Sequence, residues 1–217
     1  MSATLYTAIC MIVSYLCGAI PFGHLAGRVF AGIDIREQGS RNPGATNVLR
    51  VVGLGPGLLV LALDALKGFI PVILSRVFAD TIGDGTGTEL VMVLSAAAAI
   101  FGHMFSIFLL GRGGKGVATA AGACLAIIPA ETAIALTVWG GTVVASRYVS
   151  LGSMCAAVAL GVSLFFLERD LFSTRLPLLV FVLVLCALVI VRHRANIRRL
   201  LKGEENRLSF SSRKGSP

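Results

Sequence analysis

Charged residues are scarce in this chain of 217 amino acids. Asp, Glu, Lys and Arg together make up 14% of it, whereas soluble globular domains contain about 25%. Hydrophobic residues reach 56%, and the mean hydropathy is +0.86. This composition excludes a soluble domain, and the number of long apolar runs excludes a protein with a single membrane anchor.

The sequence also lacks the residue groupings that metal and redox chemistry need. Its three histidines are far apart, and its acidic residues outside the apolar runs are scattered, so we expect no metal site. The five cysteines fall inside apolar segments without paired spacing, which argues against disulfides. We therefore expect no cofactor of any kind.

The apolar stretches predict an all-α polytopic membrane protein. They cover roughly residues 4–30, 51–79, 88–110, 117–146, 150–167 and 176–192, and about 20 residues suffice to cross a bilayer. The fourth contains Pro129 and Glu131, and a glutamate at bilayer depth costs about 2–3 kcal/mol. We therefore predict a short hairpin over 117–146, with Glu131 at its tip. This gives about seven transmembrane helices in one domain over residues 1–201.

Basic residues predict how the chain is oriented. Lys and Arg occur within 32–50, within 112–115, at Arg147 and densely after Arg192, while 79–88 contains aspartates and no cation. Positive residues favour the cytoplasmic side, so the N-terminus is predicted outside and the C-terminus inside. The polar segment 202–217 has no apolar helical period and is predicted to be a mobile cytoplasmic tail.

A glycine-rich segment, 111–116 (GRGGKG), lies between two apolar stretches. Several backbone N–H groups and two cations at the start of a helix suit an anion, so the segment indicates a phosphate site. The alternative is a tight interhelical turn whose cations set the topology. A dinucleotide-binding site is excluded because no βαβ unit surrounds the glycines, and a Walker motif because Gly116 replaces its Ser or Thr.

Three further polar segments lie on the same predicted side. The loop 39–50 (GSRNPGATNVLR) suits a phosphorylated polyol, or is simply a turn in which Thr46 or Asn47 caps the next helix. The segment 146–153 (SRYVSLGS) interrupts two apolar runs, and 193–200 (HRANIRRL) follows the last one. His103 either points toward the anion or bonds a neighbouring helix. Asp64 and Lys67 are spaced to pair along one helix face.

Together these segments resemble the acyl-phosphate:glycerol-3-phosphate acyltransferase family of bacterial inner membranes. The matching motifs run in order over nearly the whole chain: G-S-x-N-P-G-A-T-N followed by Arg50, G-H-x-F with G-G-K-G-V-A-T-A, R-Y-x-S-L-x-S, and H-x-x-N-I-x-R-L-x-x-G-x-E. Two departures are Ser106 where the family has proline, and Arg112 in place of a lysine near the anion.

The resemblance implies transfer of a fatty acyl group from acyl phosphate to the 1-hydroxyl of sn-glycerol 3-phosphate, giving lysophosphatidate and inorganic phosphate. The expected partners are these substrates and membrane lipids, with no nucleic acid. Catalytic roles are expected for Ser40, Lys115, Ser150, His193 and Asn196. Substrate binding is expected for Asn42, Gly44, Thr46, Asn47, Arg50, His103, Arg112, Gly113, Gly114, Gly116 and Ser153.

Two questions stay open at the level of sequence. The proton of the attacking hydroxyl can pass to His193 or to a phosphate oxygen of a substrate, and the second is preferred. The competing function is a small transporter for an organic phosphate, which would place its anion site near the membrane midplane. The enzyme interpretation is preferred because the polar motifs gather on one predicted face.

Overall fold

The computed structural model describes residues 2–82 and 87–208, and all regular elements within these ranges are helical. The helices are α1 (Ala3–Ala19), α2 (Phe22–Ala31), α3 (Ala45–Val51), α4 (Leu54–Ile82), α5 (Thr88–Met104), α6 (Val117–Ile127), α7 (Pro129–Ser146), α8 (Val149–Leu167), α9 (Leu176–Arg192) and α10 (Arg194–Leu201). A short 3-10 turn, Ile107–Leu109, follows α5.

Four helical segments in the described ranges are long and apolar enough to cross a membrane: Ala3–Ala31, Leu54–Ala79, Thr88–Leu109 and Val149–Leu167. The pair α9 and α10, bent by 53°, is a fifth candidate. For the part of the chain that the structure describes, the prediction of an all-helical multi-pass protein is thereby confirmed. The predicted total of seven crossings and their orientation stay predictions.

The division of residues 117–146 lies where the sequence predicted it. Helix α6 ends at Ile127 and α7 begins at Pro129, a residue that suits the first helical position because it has no N–H group to satisfy. Glu131 lies in the first turn of α7 and is only 3% exposed. The predicted tip of the hairpin is thus packed within the protein.

Small residues allow the helix backbones to approach closely. A Cβ atom on Gly18 would lie 2.0 Å from the Ala99 carbonyl oxygen, so the backbones of α1 and α5 are in close contact there. A Cβ atom on Gly122 would lie 1.9 Å from the Ala65 carbonyl oxygen, so the backbones of α6 and α4 are in close contact as well. Close packing of this kind drives helix association where lipid offers no hydrophobic gain.

A buried ion pair joins these helices to the break between α1 and α2. Lys67 Nζ lies 2.8 Å from Asp64 Oδ1, as predicted, and also donates a 2.7 Å hydrogen bond to the Ile20 carbonyl. His103 Nδ1 lies 3.1 Å from Thr119 Oγ1 and 3.7 Å from Asp64. His103 therefore bonds a neighbouring helix, the second of the two predicted alternatives.

Candidate functional site

A cavity of about 420 Å³, here called the first cavity, brings the four polar segments together at one end of the helix bundle. Thirteen of the sixteen predicted site residues line it: Ser40, Asn42, Gly44, Thr46, Asn47, Arg50, His103, Lys115, Gly116, Ser150, Ser153, His193 and Asn196. Arg112, Gly113 and Gly114 do not line it. Residues far apart in sequence thus surround one space.

Glu205 is the centre of a hydrogen-bond network beside this cavity. Its carboxylate accepts from Asn196 Nδ2 at 2.7 Å, from Arg199 Nε at 2.7 Å and from Ser150 Oγ at 2.9 Å. Lys115 Nζ in turn donates to Asn196 Oδ1. Burial alone would raise the pKa of Glu205, but the three hydrogen bonds outweigh it and the pKa lies below its ordinary value.

The network corrects the tail prediction over residues 202–208. Glu205 is 6% exposed, and Leu208 N donates to the Arg147 carbonyl at 2.8 Å, so this stretch packs against the helices. Residues 209–217 lie outside the described ranges. The sequence does contain a signal that the chain turns back after α10, because a glycine such as Gly203 commonly ends a helix. In the structure Gly203 has a φ of +72°.

Three basic residues line the first cavity, Lys115, Arg50 and Arg199, and Arg199 is paired with Glu205. Burial lowers the pKa of Lys115 to about 8, with Glu205 acting in the opposite direction. Arg50 donates from Nη2 to the Asn206 carbonyl at 3.0 Å, while its Nε is buried without a hydrogen-bond partner among the described residues. A buried unpaired donor costs about 1–3 kcal/mol, so an anionic ligand at Arg50 would relieve that cost.

Asn47 organises the loop instead of presenting its amide to the cavity. Its Oδ1 accepts from Ser40 N at 2.9 Å, and its Nδ2 donates to the carbonyls of Ile35 and Gln38 at 3.1 and 3.0 Å. The N-cap of α3 is Gly44, without a side-chain capping bond. The prediction that Thr46 or Asn47 caps this helix is therefore wrong.

The glycine-rich turn packs against the end of α5. The N–H groups of Gly113 and Gly114 already donate to the carbonyls of Met104 and His103 at 3.2 and 3.0 Å, so they are not free for a phosphate. Arg192 Nη2 holds the turn from the other side through the Gly114 carbonyl at 2.6 Å. The first N–H groups of any α-helix have no acceptor within that helix, and Val117 and Ala118, in the first turn of α6, line the first cavity.

Gly114→Ala should therefore disturb the site through packing. The added Cβ would lie 2.2 Å from His103 Nε2, and overpacking of this kind costs about 1–3 kcal/mol. We expect a lower thermal midpoint and a loss of activity as the turn moves Lys115. The matched control is Gly141→Ala, where no atom lies within 4 Å of the new Cβ. Equal midpoints for the two variants would contradict this assignment.

Among the described residues, the His193 ring has one hydrogen-bond partner, which leaves its second nitrogen available to a ligand. Its Nδ1 lies 2.7 Å from the Val189 carbonyl, which can only accept, so Nδ1 carries the proton and Nε2 is a hydrogen-bond acceptor. Burial, and then the charge of Lys115, lower the pKa of His193 to about 4. The bend between α9 and α10 occurs at His193, and both His193 and Asn196 still reach the first cavity.

The rest of the first cavity is an apolar channel between helices. It follows α8 from Ser150 to Leu160, a length of about 15 Å at the rise of an α-helix. Small residues such as Ala135 and Ala157 line its walls. Beyond the channel, the core is filled by fully buried large side chains: Ile128, Leu164 and Val182. A polar head with an alkyl chain would fit this combination of charged mouth and apolar channel.

Comparisons with known proteins agree with this geometry. Residues 8–203 match the sequence profile of the family described as glycerol-3-phosphate acyltransferase. A glycerol-3-phosphate acyltransferase of Endomicrobium trichonymphae is 43% identical over 204 residues, covering 94% of this chain and 96% of the relative. A protein of the same name from Geobacter sulfurreducens is 44% identical over 198 residues, covering 90% and 94%.

Two solved structures share the fold. One is a crystal structure of PlsY, described as an integral membrane glycerol 3-phosphate acyltransferase, in its glycerol 3-phosphate form. It has a TM-score of 0.82 and 38% identity, and the match covers 94% of this chain and 96% of that one. The lysophosphatidic acid form has a TM-score of 0.80 and 37% identity, covering 94% and 95%.

Proposed function

Because this chain belongs to the glycerol-3-phosphate acyltransferase family, we propose that it transfers a fatty acyl group from acyl phosphate to the 1-hydroxyl of sn-glycerol 3-phosphate. The products are lysophosphatidate and inorganic phosphate, in the first acylation of phospholipid synthesis. The observation that carries the proposal is that the first cavity combines a cationic mouth with an apolar channel. The two ligand forms of the related structure support a site for both a phosphorylated polyol and a lysophospholipid.

The two ends of acyl phosphate have different solvent preferences, and the cavity suits both. The acyl chain would lie in the channel, where each buried methylene contributes about 0.8 kcal/mol. Its phosphate would lie against Lys115 and the first turn of α6. Glycerol 3-phosphate would then bind between Arg50 and His193, with Ser40, Asn42 and Thr46 beside its hydroxyls.

The hydrogen bonds of three residues support a positioning role for them. The amide of Asn196 is occupied on both sides, by Lys115 and by Glu205. The Ser150 hydroxyl donates a hydrogen bond to the Glu205 carboxylate. We assign Asn196, Ser150 and Glu205 to holding the Lys115 ammonium in place, and Lys115, Arg50 and His193 to contact with the substrates.

The reaction needs no acyl-enzyme intermediate, because a mixed anhydride is already activated. The 1-hydroxyl oxygen attacks the acyl carbonyl carbon, and the bond from that carbon to the phosphate oxygen breaks. Inorganic phosphate leaves with the bonding electron pair, and Lys115 stabilises the charge that grows on it. Close positioning of the two substrates supplies much of the remaining acceleration.

The hydroxyl proton is assigned to a phosphate oxygen of a substrate. His193, with a pKa of about 4, is a weak base near neutral pH. A phosphate monoester has its second pKa near about 6 and is the stronger base of the two. His193 Nε2 would accept the hydrogen bond of the glycerol hydroxyl and orient it, without taking the proton.

The protein is proposed to lie in a bacterial inner membrane, with the first cavity open to the cytoplasm. The positive-inside distribution of Lys and Arg supports this orientation. Both substrates would then reach the site from the side on which phosphorylated metabolites occur. Residues 1–201, with the packed segment 202–208, would form one membrane domain.

The proposed function is tested with purified protein in detergent. We expect inorganic phosphate to be released only when acyl phosphate and glycerol 3-phosphate are both present, together with an equal amount of lysophosphatidate. Phosphate release from acyl phosphate alone would indicate a hydrolase. Uptake of glycerol 3-phosphate into vesicles without acylation would indicate a transporter.

The pH dependence of the reaction should report the deprotonation of Lys115. The lysine must be protonated to stabilise the leaving phosphate, so kcat/KM should fall as the pH rises through the Lys115 pKa of about 8. Lys115→Arg stays charged and should remove this basic limb. A wild-type kcat/KM that is unchanged up to about pH 10 would contradict the assignment.

The apolar channel makes a prediction about chain length. Ala157 lines the channel and is 8% exposed, so Ala157→Phe should shorten it. We expect kcat/KM for palmitoyl phosphate to fall by about 10-fold or more, while butyryl phosphate is turned over nearly as before. Val158→Phe is the matched control because Val158 is 53% exposed and faces away. Equal losses for both donors would show general damage instead of a blocked channel.

A further inference from the structure

A second cavity of about 530 Å³ lies beside the first. Four residues line both cavities, and they form a common wall: Ser40, Asn42, Lys115 and Ala195. The ammonium group assigned to the leaving phosphate therefore stands between the two spaces. Whatever occupies the second cavity is a close neighbour of the reaction.

The lining of the second cavity is strongly cationic. Six basic side chains line it, against two carboxylates: Arg36, Arg41, Arg112, Lys115, Arg192 and Arg194. Asp34, one of the carboxylates, is already neutralised by Arg36 Nη2 at 2.6 Å, with Arg28 and His24 at 3.7 and 3.2 Å. Only Glu37 is left to balance the other cations of this lining.

Three of these arginines are available to bind a ligand. Arg41, Arg112 and Arg194 are exposed, and none of them has a carboxylate partner among the described residues. Arg41 is also held in the left-handed region at φ +59°, which costs about 1–2 kcal/mol for a residue with a side chain. Strained backbone of this kind persists where the surrounding structure requires it, often at ligand sites.

We propose that the second cavity is a phosphate-binding chamber that serves the first. This proposal rests on the proposed function. The occupant of the second cavity is glycerol 3-phosphate on its way in or inorganic phosphate on its way out, since both present the same dianionic group. A concave surface with excess positive charge raises the local concentration of anions. Lys115 in the common wall allows an anion to pass from one cavity to the other without losing its counter-charge.

The test uses Arg41→Gln/Arg194→Gln, which removes two unpaired cations of the chamber. The matched control is Arg198→Gln, an exposed arginine of α10 that lines neither cavity. If glycerol 3-phosphate is the occupant, kcat/KM for it should fall by about 10-fold and depend less on salt. If inorganic phosphate is the occupant, its product-inhibition constant should rise by a similar factor. The control should match wild type in both.

A double variant that matches Arg198→Gln in both measurements would overturn the proposal. If the double variant does not fold, Arg41→Lys/Arg194→Lys keeps the charges and should behave as wild type, while Arg194→Gln alone should show part of the effect. Calorimetric titration with inorganic phosphate tests the chamber without turnover. An absent acyl transfer in wild type, with phosphate binding weakened in the double variant, would overturn the proposed reaction and leave the chamber standing.

Discussion

Lys115→Met is expected to lower kcat/KM by about 10²–10³-fold, because one lost charge contact with a transition-state oxyanion costs about 3–4 kcal/mol. Lys115 is the cation that lines both cavities and lies next to the N-terminus of α6, where the leaving phosphate is proposed to rest. Methionine preserves most of the length and apolar volume of the lysine stem. The measurement is the initial rate of phosphate release at several concentrations of both substrates.

The loss should appear in catalysis and not in folding. Among the described residues, Asn196 Oδ1 alone loses a hydrogen-bond donor, so the thermal midpoint should fall less than it does in Glu205→Ala. Lys202→Met is the control, because Lys202 is exposed and lines neither cavity. A Lys115→Met enzyme with more than about a fifth of wild-type kcat/KM would show that the charge of Lys115 does not drive the reaction.

Glu205→Ala should have the largest effect on stability. It leaves Arg199 without its partner carboxylate, and it leaves the buried donors of Asn196 and Ser150 without an acceptor, at a cost of about 1–3 kcal/mol each. We expect a much lower thermal midpoint and a low yield of folded protein. Because the pKa of Glu205 is lowered, its contribution is present above about pH 4.3 and is lost as the pH falls through the folded value.

Glu205→Gln separates the structural role from the electrostatic one. The amide keeps an oxygen acceptor and the shape of the side chain, so most of the fold should survive. The negative charge that raises the pKa of Lys115 is lost, so the basic limb of the kcat/KM profile should move below its wild-type position near pH 8. Neighbouring Glu204 is exposed, and Glu204→Gln should leave the limb in place. An unmoved limb in Glu205→Gln would limit Glu205 to support of the fold.

Several elements of the site were predictable because their signals are local. The break at Ile128 follows from Pro129 and from the cost of placing Glu131 at bilayer depth, and the pairing of Asp64 with Lys67 follows from helical spacing. The glycine-rich turn was located correctly, and its role at a phosphate stays a prediction. The structure shows that Gly113 and Gly114 are needed for contact with the end of α5, which no local pattern reveals.

By itself, the sequence determined the class of the protein, the positions of most helices and the set of polar segments, because hydrophobicity and helix-breaking residues act within a few turns of chain. Only the tertiary structure decided which polar atoms are free. Asn47 and Asn196 look alike as single residues, yet one secures a loop and the other holds Lys115. Glu205 became central only when the chain returned after Gly203, since its partners lie on α8 and α10 and hydrogen bonding requires contact within about 3 Å.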